Sequence, residues 1–230
     1  MQKLREKILE YSSELATIYI ACSGGVDSMF LVKICSEILQ NKKVFAIIVN
    51  HNLQKSSKKV ASDTLKILNS WGVSGIILEW VHESIVSGIE EEARNARYSL
   101  MTDFCNKNNI KSIMLAHHID DKIETFLMNS MRGTGLRGLT SMQEFSEKNG
   151  VEFFRPMIDC IEKSQILEFM TQNQIPWFED KTNQDTKFTR NSIRHSFNFT
   201  KQQKAGVLIT IKNLENELLE KKKTFPPLGI

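Results

Sequence analysis

Cysteine and proline are scarce in this chain, at four each among 230 residues. Cys22, Cys35, Cys105 and Cys160 form no CxxC pair. That spacing gives little support to zinc ribbons or dithiol redox sites and reads the four as small buried hydrophobes in a reducing compartment. No apolar run approaches the roughly 18–20 residues that cross a bilayer, so no membrane partner is expected. Met1–Ala16 mixes Lys, Arg and Glu with Ile8, Leu9 and Leu15. It lacks the apolar centre of a signal peptide, and its acids do not suit a transit peptide. A cytoplasmic location is the resulting expectation. Charge of one sign is also missing: the net value is +3, too small by itself to indicate a nucleic-acid partner. Neither GxxxxGK[ST] nor GxGxxG occurs, which excludes the Walker-type and dinucleotide-type phosphate loops. There is no internal repeat and no low-complexity segment.

What the chain does have is a regular alternation. Ala16–Ala21 reads as a short buried strand, and Met29–Leu39 as a helix. Lys43–Val49 is a near-continuous Ile and Val run, of the kind that parallel sheets bury on both faces. Ser57–Trp71 places Val60, Thr64, Ile67, Leu68 and Trp71 at helical spacing. Gly75–Val81 and Lys111–Ala116 read as strands, Gly88–Asn108 and His118–Met131 as helices. The pattern predicts an α/β fold with a doubly wound, mostly parallel sheet. Past residue 132 it changes. Arg132–Leu139 is a loop rich in glycine and arginine, Val151–Pro156 a strand, Lys163–Gln172 a helix, and Ile175–Arg194 a structured loop running into a helix. Lys204–Lys223 is amphipathic, with Val207, Ile211, Leu214 and Leu218 on one face. The expected organisation is an α/β core over 1–132, a segment completing the same domain over 133–200, and a small helical C-terminal extension over 201–230.

Ligands in such sheets sit beyond the carboxyl ends of the strands. Three polar segments follow strands directly: Ser23–Ser28, Asn50–Leu53 and His117–Asp121. Their convergence on one pocket, with Asp27 and Asp121 lining a common cavity, is the central structural expectation. In the first segment, Gly24 and Gly25 let the backbone approach an anion with no Cβ in the way. The following helix start supplies unpaired N–H groups, and Ser23 and Ser28 add hydroxyls. Asp27 has two readings, a plain helix cap or a ligand for the Mg²⁺ that accompanies phosphate. The complete Ser23–Ser28 string after a buried strand favours the second. In the third segment Asp120, Asp121 and, one turn on, Glu124 concentrate negative charge. Such a cluster calls for a metal or an ammonium partner, although an acidic first turn also complements a helix dipole. His117 and His118 are read as core or supporting residues. Seven of the eight arginines lie between Arg94 and Arg194, and arginine is the side chain best shaped for phosphate.

Ser23-Gly24-Gly25-Val26-Asp27-Ser28 resembles the SGGxDS loop of PP-loop ATP pyrophosphatases. His117-His118-Ile119-Asp120-Asp121 with Glu124-Thr125 is similar to the AHHxDDxxET block of tRNA(Ile)-lysidine synthases within that superfamily. Glu92–Tyr98, Arg132–Leu139 with Met142, Arg155-Pro156-Met157, and Trp177–Asn183 followed by Arg190–Arg194 resemble further blocks of that family in the same order. The resemblance runs from about Ile18 to Arg194. It implies an ATP-dependent ligation of free L-lysine to the wobble cytidine of tRNA(Ile) with a CAU anticodon. The cytosine 2-carbonyl oxygen is adenylated, the lysine amine displaces AMP, and lysidine, AMP and pyrophosphate result.

The same resemblance implies ATP binding by Ser23, Gly24, Gly25, Val26, Asp27, Ser28 and His51. Mg²⁺ falls to Asp27 and Asp121, and reaction-centre roles to Asp27, Asp120, Asp121, Glu124 and Arg94. Arg97, Arg132, Arg137, Arg190 and Arg194 fall to tRNA, with pairing to an acid such as Glu90 also open to Arg97. Loops of 133–200 would face the tRNA, and a homodimer is a further expectation. Two departures stand out. Asn52 replaces a glycine of the family's strand-end string. The chain also stops where long members continue, so it is expected to be a reduced member or a truncation.

Overall fold

The structure, a computed structural model, describes residues 1–82, 88–179 and 199–224, with backbone alone at Glu90 and at 222–224. Contacts group Met1–His118 with Glu144–Asp180 in one unit, and Ile119–Gln143 with Lys181–Ile230 in a second. The division expected at residues 132 and 200 runs linearly along the chain. Contacts instead group the helix that begins at Ile119 with the C-terminal helix.

The first unit is built on a six-stranded sheet. β1 (Thr17–Ala21), β2 (Lys43–Asn50), β3 (Ser74–Glu79), β4 (Ser112–Met114) and β6 (Val151–Phe154) are joined by parallel pairings. β5 (Phe145–Lys148) pairs antiparallel with β6 at the edge, and the order is β3-β2-β1-β4-β6-β5. Alternate residues face opposite sides, and burial follows. Ile18, Ile20, Ala46, Ile48, Met114 and Phe154 enter one cluster with Leu4 and Ile8 of α1 (Gln2–Ser12). Met29 and Phe30 of α2 (Val26–Ile38), Leu68 of α3 (Ser57–Ser70), and Ile166 and Met170 of α7 (Lys163–Gln172) belong to it as well. Ile47, Ile113 and Phe153 face the other way, onto Tyr98, Met101 and Cys105 of α4 (Ile89–Lys107). A sheet buried on both faces explains why β2 reads as an unbroken apolar run.

The second unit, as described, contains α5 (Ile119–Met131), α6 (Leu136–Leu139) and α8 (Lys201–Thr224). Ile211 and Leu218 of α8 are buried, in keeping with the face expected from their spacing. Two ion pairs tie α8 to α5: Lys204 Nζ to Asp120 Oδ1 at 2.5 Å and Lys122 Nζ to Glu215 Oε1 at 2.8 Å.

Four features differ from the sequence expectations. α1 is a helix whose buried Leu4 and Ile8 sit one turn apart. Its short amphipathic period is masked by the charges between them. β5 and β6 form a hairpin through Asn149 (φ 53°) and Gly150 (φ 75°), the Asn-Gly pair that favours a tight hairpin turn. The glycine-rich stretch contains the single turn α6. β3 ends at Glu79, and Val81 is 89% exposed. No helix among the described residues is long and apolar enough to cross a membrane.

Candidate functional site

The strand order reverses between β1 and β4, so their carboxyl ends open the crevice where such sheets bind ligands. Cys22–Ser28 leaves β1 there and enters α2. Gly24 has φ +83°, and a Cβ at that position would meet Thr64 Oγ1 of α3 at 2.4 Å and Phe178 Cδ2 at 3.4 Å. Both the backbone and the space around it therefore demand glycine. Phe178 N–H donates to the Gly24 carbonyl at 3.0 Å, so the segment after α7 is strapped across the loop. Thr64 Oγ1 is fully buried and has no hydrogen-bond partner among the described residues.

Gly25 is the N-cap of α2, with extended backbone and no side chain capping the helix. The helix start is thus left to backbone N–H groups and their dipole. Ser28 is buried and braces the loop from within. Its Oγ donates to the Gly25 carbonyl at 2.9 Å and accepts from Ser23 N–H at 3.1 Å. The Ser23 hydroxyl, on an exposed residue, lies 3.2 Å from Ser28 Oγ. Val26 is buried, leaving only its backbone for a ligand. Asp27, in the first turn of α2, is half-buried. Its Oδ1 lies 2.5 Å from Lys163 Nζ of α7 and 3.6 Å from Nε2 of the buried His118. Lys163 carries no sequence signal of its own: 136 residues separate it from Asp27.

His118 continues the chain from β4, so the expected convergence of the first and third segments holds as far as that residue. Arg155, 6% exposed just beyond β6, donates from Nε to His117 Nδ1 at 3.3 Å and from Nη1 to Ser146 Oγ at 2.9 Å. A guanidinium only donates, so His117 accepts at Nδ1 and keeps its ring proton on Nε2. Arg155 was readable from sequence only as part of a family string, not as a support for this histidine.

At the carboxyl end of β2, His51 accepts from Arg97 Nε at 3.2 Å, and its carbonyl accepts from His82 Nε2 at 3.0 Å. Arg97 thus stands against His51, whereas Arg94 lies over the Tyr98 ring at 5.2 Å. Asn52, the replacement for glycine, adopts φ 52°, a left-handed conformation that asparagine tolerates better than most residues. Its Nδ2 donates to Glu79 Oε2 at 3.0 Å and to the Trp80 carbonyl at 2.9 Å. Asparagine here thus takes up a left-handed backbone of the kind glycine favours and adds a tether.

In the second unit Asp120 and Asp121 occupy the first turn of α5, and Glu124 is buried one turn later. The ammonium expected beside the acids is supplied to Asp120 by Lys204. Arg132 and Arg137 are exposed. Arg190 and Arg194 lie outside the described residues.

The glycine loop at a helix start, carrying Asp27 in its first turn, is the arrangement named by its sequence, and the PP-loop domain family matches residues 1–200. The chain belongs to the PP-loop domain family. This PP-loop protein is 35% identical over 189 residues to tRNA(Ile)-lysidine synthase of Wolbachia pipientis wMel, covering 80% of the chain and 43% of that relative. To the tRNA(Ile)-lysidine synthase of Rickettsia bellii (strain OSU 85-389) it is 35% identical over 210 residues, covering 90% and 48%. The chain thus spans less than half the length of these curated relatives. Among solved structures, the U34-tRNA thiolase NcsA from Methanococcus maripaludis with its [4Fe-4S] cluster superposes with a TM-score of 0.74. Identity is 13%, with coverage of 93% of this chain and 78% of that one. At that identity the likeness concerns the fold alone. It supports the mostly parallel α/β architecture expected from the strand and helix alternation.

Proposed function

We propose that this PP-loop protein carries the catalytic part of a tRNA(Ile)-lysidine synthase. It would join L-lysine to the wobble cytidine of a CAU-anticodon tRNA(Ile) at the expense of ATP. The observation that carries this reading is the glycine loop. It pairs a helix start uncapped by side chains with a half-buried carboxylate, and relatives named for that activity align along most of the chain.

The chemistry explains why such a loop is needed. The oxygen on C2 of cytosine is a poor leaving group. Attack of that oxygen on the α-phosphorus of ATP forms a C–O–P bond and releases pyrophosphate. The lysine ε-amine then attacks C2, loses a proton, and expels AMP with the oxygen. Gly24, Gly25 and Val26 offer backbone N–H groups to the departing pyrophosphate. Ser23 adds its hydroxyl, while Ser28 holds the loop in shape. Magnesium is commonly held by one or two carboxylates together with phosphate oxygens and waters. Asp27 fits that use, because it is reachable from solvent at a phosphate-binding helix start. Magnesium supplies charge neutralisation on the polyphosphate. Among the described residues no group of three His, Cys, Asp or Glu side chains is placed to hold a metal unaided.

Asp121 is assigned as a second metal or reaction-centre carboxylate, and Glu124 as a partner or base for the lysine amine. Asp120, engaged by Lys204, is assigned a positioning role on α5. His51 is assigned to the nucleotide, with Arg97 holding its ring, and Arg94 to phosphate or the activated base. Arg132, Arg137, Arg190 and Arg194 are assigned to tRNA phosphates. A thiolase reading is disfavoured by the thiols: Cys22, Cys35 and Cys105 are buried and Cys160 is half-buried, on separate elements. The test is mass spectrometry of the wobble nucleoside after incubation with ATP, Mg²⁺, lysine and the CAU-anticodon tRNA. Lysidine is expected with the wild type and not with Asp27→Ala. Unmodified cytidine, with AMP release no greater than that control, would overturn the proposal.

A further inference from the structure

Lys163 stands where local preference would not put it. It is the first residue of α7, and the positive end of a helix dipole disfavours a cation. Nor does the helix need it. Glu162 and Gln165 form a reciprocal capping box that already satisfies the start of α7. The helix is anchored independently by buried Ile166 and Met170 and by an edge contact between Phe169 and Phe30 of α2, with ring centroids 5.3 Å apart. This packing delivers the ammonium to the mouth of the glycine loop, where it meets Asp27 at 2.5 Å. Conflict between a local rule and the observed residue is a mark of functional positions.

The two side chains remain reachable, at 37% exposure for Lys163 and 31% for Asp27. Ion pairs of that exposure contribute little to stability, so exchanging partners is cheap. If Asp27 turns to a metal, the Lys163 ammonium stays beside the same helix start, within reach of an anion bound there.

We propose that Lys163 is a pyrophosphate-binding residue of this loop, held in reserve by Asp27 until Mg²⁺-bound nucleotide takes that carboxylate. The proposal rests on the phosphate-loop reading above and adds a residue that the loop string does not contain.

The experiment is calorimetric titration of the whole chain with inorganic pyrophosphate in the presence of Mg²⁺. Wild type is compared with Lys163→Met, Lys163→Gln, Lys163→Arg and, as a control for lost charge, Lys66→Met on the exposed side of α3. Removal of the ammonium is expected to weaken binding at least tenfold, arginine to recover most of the loss, and Lys66→Met to bind like wild type. In metal-free buffer Asp27→Asn, which removes a carboxylate charge from beside the loop, is expected to bind pyrophosphate more tightly than wild type. Having both Met and Gln variants guards against misfolding of either one. Wild-type affinity in a folded Lys163→Met or Lys163→Gln protein, or an equal loss in Lys66→Met, would overturn the role of Lys163. Absence of pyrophosphate binding by the wild type would instead overturn the phosphate-loop reading itself.

Discussion

Replacing Gly24 by alanine should destabilise the fold through two separable effects. The first is backbone: at φ +83° an L-residue is strained by about 1–2 kcal/mol. The second is steric: the new Cβ would stand 2.4 Å from Thr64 Oγ1, on a side chain that is fully buried and has little room to retreat. Overpacking of that kind costs about 1–3 kcal/mol. Together they remove about 2–5 kcal/mol, a large share of the roughly 5–15 kcal/mol that holds a domain folded. With a urea slope of about 2–3 kcal/mol per molar, the midpoint should fall by about 1–2 M. Thr64→Ala removes the obstructing oxygen but leaves the backbone strain. In a double-mutant cycle by urea unfolding, the Gly24→Ala/Thr64→Ala protein should therefore regain about 1–3 kcal/mol relative to additivity. Strictly additive effects would show that the loop is not closed by Thr64, and that reasoning would fail.

Other consequences follow from single contacts. Asn52→Ala should cost about 1–3 kcal/mol, from left-handed strain and lost amide bonds, and Asn52→Gly clearly less; equal melting temperatures for the two would remove the left-handed argument. Burial works against the charged forms of Lys7 and Asp159, yet their mutual pairing, with help from Glu144 and Lys3, raises the Lys7 pKa and lowers that of Asp159. The Asp159 contribution is present above the ordinary carboxylate pKa and lost as pH falls through its lowered value. The Lys7 contribution is present below pH 10.5 and lost as pH rises through its raised value. Lys7→Met should therefore flatten the pH dependence of the melting temperature at both the acid and the alkaline end, and an unchanged profile would count against the pairing. Burial, reinforced by Asp159, pushes the half-buried Cys160 thiol to about 11. With three other buried thiols, the native protein should react slowly with a thiol reagent at pH 8, Cys160→Ser should abolish the slow phase, and a fast stoichiometric reaction would contradict the burial.

Much of this architecture was legible in the chain alone, for a physical reason: the signals are local. Apolar runs at strand length located β1, β2 and β4 within a residue or two, and helical spacing located α3, α4 and α7. The diglycine turn announced the tight loop between β1 and α2, because a residue without a Cβ best tolerates its left-handed backbone. The Asn149-Gly150 turn was equally local and could have revealed β5. The helix α1 was harder, since charged residues outnumber its two buried apolar residues, Leu4 and Ile8.

What the tertiary structure decided involves partners far apart along the chain. Asp27 meets Lys163 across 136 residues, Arg155 sets the tautomer of His117 across 38, and Thr64 with Phe178 closes over Gly24. Spacing reports which face a side chain occupies on its own helix or strand, but not which distant side chain will stand opposite. That choice is made by the packing of the whole core. It alone turned a lysine unremarked in sequence into a neighbour of the glycine loop, and bound Asp120 to an internal ammonium.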